Sequence, residues 1–270
     1  MKILKTIIPG LMVVAVASLY TSCKREVPQL APIQTDFSNS AAVQVFSATV
    51  KATRNYVYVD GVAVSGAAVA QGGVFPGTAF SFMVNSGSRT FLIKDTALVT
   101  PQVPLTFTQS MDAGKSYTIF TYDTTTTIKQ MTVTNDIVVP TDTSARLRFA
   151  NFLYNVNPIA NVDVYSFRKI PGTPTFVSTP VLNNANIAAP VFTGSTPLFS
   201  NVATNQVTGF IAYPSLITDT LYVFAAGTTS PLLAKGAVSS LVPTRSYSSV
   251  FHGSYAAALS SRFVSTFTNY

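Results

Sequence analysis

From about residue 40 onward the chain alternates. Apolar and polar positions exchange one for one through Ala42–Phe46 (AVQVF) and Tyr56–Asp60 (YVYVD), the latter running into a turn at Gly61. The same period of two continues through Phe80–Val84, Thr90–Lys94, Leu105–Gln109, Ser116–Tyr122 and Lys129–Thr134, with Gly, Pro, Asn and Asp in between. Successive side chains of a strand point to opposite faces, and Val, Thr, Tyr and Phe fit a pleated, half-buried surface. The pattern predicts short strands in an antiparallel β-sandwich. No stretch here sustains a helical period. Ala67–Ala70 is too short, and too closely flanked by Gly66 and Gly72, to make a helix.

The pattern breaks at Pro140 and then begins again. Ala145–Asn151 (ARLRFAN) repeats the position and alternation of Ala42–Ser47, and Val164-Tyr165 falls over Val57-Tyr58. Thr208–Tyr213, Asp219–Ala225 and Leu232–Ala237 supply middle strands, and Arg245-Ser246-Tyr247 answers Lys115-Ser116-Tyr117. The offset between matched positions grows from 103 to 130 residues, so the second copy carries insertions, with Pro171–Ser200 the loop-like candidate. The expectation is an all-β chain with two tandem sandwiches, 41–139 and 143–270, each near the usual size of about 100 residues.

The first 25 residues follow another plan. Lys2 and Lys5 precede an apolar run from Ile7 to Ala17. That run falls short of the roughly 20 residues needed to span a bilayer but suits the core of a signal peptide. Thr21 and Ser22 are small and lead into Cys23, the chain's one cysteine. We expect 1–22 to be a lipoprotein signal peptide and Cys23 to be the lipidated residue. Residues 23–40 then form a tether, whose 17 residues after the cysteine span about 20–25 Å on average. Tyr20 departs from the usual leucine-like residue three places before the cysteine, and Ala15-Val16-Ala17 offers a competing site whose cleavage would release the protein.

Composition narrows the picture. A single cysteine allows no disulfide within the chain, so the core must hold the fold. Charged residues make up 10% of the sequence, which leaves the polar surface to Ser, Thr, Asn and Gln. Of the formal +7, Lys2 and Lys5 would leave with the leader, giving +5. The remaining cations are scattered, whereas nucleic-acid binding wants a clustered basic stripe. A transmembrane barrel is disfavoured because prolines and turns interrupt the strands too often for spans of about 9–11 residues.

The repeated pattern resembles an exported bacterial family, the domain of unknown function 4397. The shared features are the Ala-x-hydrophobic-x-hydrophobic strands at Ala42–Phe46 and Ala145–Phe149, and Tyr56–Gly61 against Val162-Asp163-Val164-Tyr165. Gly114-Lys115-Ser116-Tyr117-Thr118 and Arg245-Ser246-Tyr247-Ser248 complete it, the second copy lacking the glycine and replacing the Asp60-Gly61 turn with Phe167-Arg168. The resemblance implies immunoglobulin-like sandwiches on a surface or periplasmic lipoprotein with no assigned activity.

Little in the sequence suggests catalysis, and no cofactor or metal is expected. His252 is the only histidine, and the acidic residues, Asp60 and Asp163 among them, stand singly. Glycosidases need two carboxyl groups facing one bond. Asp136–Asp142 is a poor calcium candidate, and Gln71–Gly77 is glycine-rich without the lysine of a phosphate loop. Gln71–Gly77 reads as a turn, and the threonine run Thr124–Thr127 as a hairpin turn or edge rather than a glycan contact. Binding is better motivated, because loops at the ends of sandwiches carry recognition. Phe152, Tyr154, Asn155 and Asn157, with Pro158, form the best group, in an expected loop after Asn151; Phe152 and Tyr154 could instead cap the core. The expected role is a non-enzymatic, membrane-anchored lipoprotein of the cell envelope, at either face of the outer membrane, serving interaction, adhesion or scaffolding. The alternative is a carbohydrate-capturing or carbohydrate-processing protein. Partners would be the membrane, through acyl chains, and envelope proteins or glycans, not nucleic acid.

Overall fold

In a computed structural model, the described residues are 36–77, 79–96, 102–157, 159–167, 196–255 and 258–269. The expected signal peptide, Cys23, nearly all of the tether and most of the 171–200 insertion lie outside them. The first half carries β1 (Ser40–Ser47), β2 (Asn55–Val59), β3 (Val62–Ala63), β4 (Val74–Phe75), β5 (Phe82–Asn85), β6 (Gly87–Asp95), β7 (Leu105–Met111), β8 (Ser116–Tyr122) and β9 (Lys129–Thr134). The second carries β10 (Ala145–Tyr154), β11 (Asn161–Phe167), β12 (Phe199–Ala203), β13 (Gln206–Val207), β14 (Ile211–Tyr213), β15 (Thr218–Ala225), β16 (Ala234–Ser239), β17 (Ser246–Ser254) and β18 (Arg262–Asn269). Among the described residues the only helical turn is a short 3-10 stretch at Leu259–Ser261.

Each half folds into two sheets of matching order. The first has β3-β2-β6-β7 over β4-β1-β8-β9, and the second has β12-β11-β15-β16 over β13-β10-β17-β18. Pairing is antiparallel except for β1 with β8 and β10 with β17, which are parallel. Alternation has the same period in either direction, so the sequence pattern does not report this detail. Val43 pairs with Tyr117, and Leu147 with Tyr247. The structural match is therefore Ala41 with Ala145, both fully buried, one residue away from the sequence match of Ala42 with Ala145. A slip of one would exchange the two faces of the strand.

The tyrosines of the repeat share a role. The Tyr117 hydroxyl accepts from the Asp112 amide at 3.0 Å, and the Tyr247 hydroxyl from the Val242 amide at 2.8 Å. Just before them, Gly114 sits at φ 72° and Thr244 at φ 64°. Their amides donate to the carbonyls of Ser40 and Ser144 at 2.9 and 2.8 Å. The second copy thus keeps the left-handed turn without the glycine, at a steric cost that a β-branched residue bears fully.

Among the described residues three larger apolar clusters fill the layers, besides a small one around Tyr165 and Phe224. One lies inside the first sandwich, around Val43, Val57, Phe91 and Ile119. Another lies inside the second, around Leu147, Val164, Val223 and Phe251. A third joins the halves, with Phe46 and Phe120 facing Phe152, Val250 and Phe267. Phe46 stacks on Phe267 at 5.2 Å and Phe120 on Phe152 at 4.9 Å between ring centres. The order of layers follows: β2's sheet, β1's, β10's, then β11's. Strands β1 and β17 are consequently buried on both faces.

One end of this shared face is polar. Arg148, 2% exposed, donates from Nε to Ser248 at 2.7 Å and from Nη2 to Asn135 at 2.7 Å. Asn269 donates to Thr118 across the halves at 3.2 Å, and Gln44 to the Thr268 carbonyl at 2.9 Å. Phe37–Tyr270 forms one compact unit.

Candidate functional site

At the other end the shared face opens into a cleft of about 670 Å³. The first half supplies Val50, Lys51, Gln71 and the turn at Thr124, Thr125 and Thr126, and the second supplies Tyr154, Ser254, Ser260, Ser261 and Phe263. Its walls are the places where strands end. Tyr154 and Ser254 are the last paired residues of β10 and β17, and Thr124–Thr126 belong to the turn between β8 and β9.

That turn is held from within. The Asp123 carboxylate accepts from the Thr124 amide at 2.8 Å and the Thr127 hydroxyl at 2.7 Å, and it pairs with Lys129 at 2.7 Å. Burial would push the Asp123 carboxyl up, but the bonds from Lys129, Thr127 and Thr124 outweigh it and hold it below the usual range. The Thr124 hydroxyl lies 3.0 Å from that of Thr126 and 2.8 Å from that of Thr127. Across the cleft, the Gln71 side chain accepts from the Lys51 amide at 2.8 Å. The wall is thus built of hydroxyl and amide groups already fixed in place.

Two aromatic rings stay open to solvent, Tyr154 at 38% and Phe263 at 44% exposure. Beneath Phe263 lies His252, 2% exposed, its ring stacked on Phe263 at 5.5 Å and edge-on to Phe46 at 5.7 Å. Its Nε2 is 2.9 Å from the Ser265 hydroxyl, while Nδ1 is buried with no hydrogen-bond partner. Burial pushes its pKa down to about 4. Gly72 closes over this ring; at φ 80°, a Cβ there would stand 3.1 Å from His252 Cε1. The glycine-rich turn therefore serves packing.

The sequence-derived group divides. Tyr154 lines the cleft, and with Phe152 and Asn155, the last at φ 59°, it also lines a smaller neighbouring cavity of about 160 Å³ that Lys129 and Asn205 share. Asn157 is exposed in the next turn and lines neither. Phe152 requires correction. Strand β10 runs three residues past Asn151 to Tyr154, so Phe152 lies in a strand, 1% exposed, against Phe120 and Tyr122. Its ring packs against the other half, and the residue also lines the smaller cavity. Phe263 and Lys51 carry no site signal in the sequence beyond the alternation of β18, and Gln71 enters there only as the start of the glycine-rich turn Gln71–Gly77.

The candidate acids are engaged elsewhere. Asp60 pairs with Arg89 at 3.0 Å and accepts from the Thr90 amide at 2.9 Å. Asp163 accepts from the amides of Asn201 and Gly227, each at 2.7 Å. Asp142 accepts from the Ser144 amide at 2.9 Å, a local turn contact.

No family model matches the chain, and no curated protein matches it. Among solved structures it is similar to a CBM26 carbohydrate-binding module of Eubacterium rectale Amy13K in complex with maltoheptaose. Identity there is 10%, coverage 86% of this chain and 97% of that one, and the TM-score 0.26. It is also similar to an α-glucan-recognising family 41 carbohydrate-binding module from streptococcal virulence factors. Identity is 11%, coverage 78% and 92%, and the TM-score 0.22. A likeness this slight says nothing of what this chain binds.

Proposed function

We propose that the protein is a non-catalytic saccharide-binding module of the bacterial cell envelope, held to a membrane by acyl chains on Cys23. The observation that carries the reading is the cleft between the halves, where the exposed rings of Tyr154 and Phe263 stand among the hydroxyls of Thr124–Thr126, Ser254, Ser260 and Ser261. A pyranose presents a C–H face to an aromatic ring and hydroxyls to polar neighbours, and pockets of about 300–1,000 Å³ with few, well-placed polar groups suit such a ligand. Among the described residues the cleft lining is made of aromatic, hydroxyl, amide, aliphatic and lysine side chains. Acylation supplies the anchor, since two or more chains make attachment stable. The repeated strand plan suits the exported family that the two halves resemble.

A glycan array probed with the intact protein tests the reading, with Tyr154→Ala and Phe263→Ala beside it. At least one class of neutral oligosaccharide should bind, and each substitution should weaken it by about tenfold or more. Silence across the array, or binding indifferent to both substitutions, would retire the saccharide reading. Mass spectrometry of the native N-terminus tests the anchor: Cys23 should carry acyl chains, and a bare thiol refutes that part.

A further inference from the structure

The polar end of the shared face holds a second cleft, of about 510 Å³, lined by Arg146 and Arg148 of β10, with Phe210, Thr208, Thr134 and Asp136. Arg146 and Arg148 are two apart on one strand, so both project from the same face, roughly 7 Å apart along it. Arg148 is buried, yet no carboxylate lies within ion-pair distance of it among the described residues. Its Nε and Nη2 are spent on Ser248, Asn135 and Thr118, while Nη1 donates to no described residue. The Phe210 ring lies 4.7 Å from its Cζ. Arg146 is half-buried, and its Nε is enclosed without an acceptor. Burial lowers the Arg148 pKa to about 9, leaving it a cation at neutral pH. Asp136 favours the Arg148 cation only from beyond ion-pair distance. Burying a charge without a direct ion pair is costly, and two guanidinium groups with unspent donors fit the two oxygens of a carboxylate.

We propose that this second cleft binds a carboxylate group, carried by a small organic acid or a uronic sugar, between the guanidinium groups of Arg146 and Arg148. The site is separate from the aromatic cleft and does not depend on what that cleft takes. Asp136, the one acid among the described lining residues, is exposed and opposes the bound charge.

Calorimetric titration of the intact protein with glucuronate, succinate, glucose and inorganic phosphate tests the assignment. At least one carboxylate should bind, glucose should not, and phosphate should bind more weakly. Glucuronate alone identifies the sugar source, whereas equal binding of succinate identifies the bare acid group. Arg146→Gln should weaken the carboxylate by about tenfold, and Asp136→Asn should tighten it several-fold. Because Arg148→Met risks the fold, Arg146→Gln, on the cleft wall, is the deciding variant. No carboxylate binding at about 20 mM, phosphate binding as tightly as the carboxylates, or an unchanged affinity in Arg146→Gln would each overturn the proposal.

Discussion

Taking the protein from about pH 7 to pH 5 should remove roughly 2 kcal/mol of folding stability through His252 alone. The folded imidazole sits at about 4 against its ordinary 6.5, with burial the cause. Between those values the unfolded chain takes up a proton that the native state refuses. Stability is therefore full above pH 6.5 and falls by about 1.36 kcal/mol for each pH unit toward 4. The chain has no other histidine. Asp60, Asp123 and Asp142 are all held below the usual 3.8, so what they contribute is lost only at still lower pH. For a unit of this size the loss corresponds to a drop of about 4–8 °C in Tm. Urea unfolding at both pH values measures it, followed by tyrosine fluorescence because the chain has no tryptophan. His252→Gln removes the titration while keeping a group able to reach Ser265. It should be less stable at pH 7 but nearly flat with pH. A flat wild-type profile, or an equally steep one in His252→Gln, would refute burial as the source.

Other outcomes follow from the packing. Phe46→Ala empties the contact with Phe120, Phe267 and His252 and should cost about 3–5 kcal/mol, read as a lower urea midpoint. Because that cluster joins the halves, calorimetry should show one unfolding transition rather than two; two well-separated peaks would contradict a shared core. Tyr117→Phe and Tyr247→Phe each strip an acceptor from a backbone amide and should cost similar amounts, about 1–2 kcal/mol. Thr244→Gly should stabilise by up to about 1 kcal/mol, since it relieves a β-branched residue at φ 64°, with a Tm shift as the readout. Gly253→Ala should destabilise by about 2 kcal/mol or more, because φ is 109° and a Cβ would overlap the Ser261 carbonyl.

The strands were legible because alternation is a local property, and the two-residue period of stretches such as YVYVD survives whatever packs around them. The repeat was legible for the same reason, as was the structural reading of Asp60, whose turn partner Gly61 adjoins it. The candidate site was legible only at Tyr154. Phe152 misled because a strand end and a loop look alike when the following residues are Asn and Pro, and only the pairing of β10 with β17 carries the strand onward. Phe263 and Gln71 lie nearly 200 residues apart in sequence, and no spacing rule joins them.

Period, turn chemistry and the tandem plan could be read from the chain, since each depends on neighbours within a few residues. The stacking of the halves could not, although it left a trace: β1, β8, β10 and β17 carry Phe46, Phe120, Phe152 and Val250 on the face a lone sandwich would show to water. A strand's own sequence tells which positions shun water, but not which distant surface covers them. The association of those outer faces turned Arg148 and His252 into buried groups, and it opened the two clefts at the edges where the faces part.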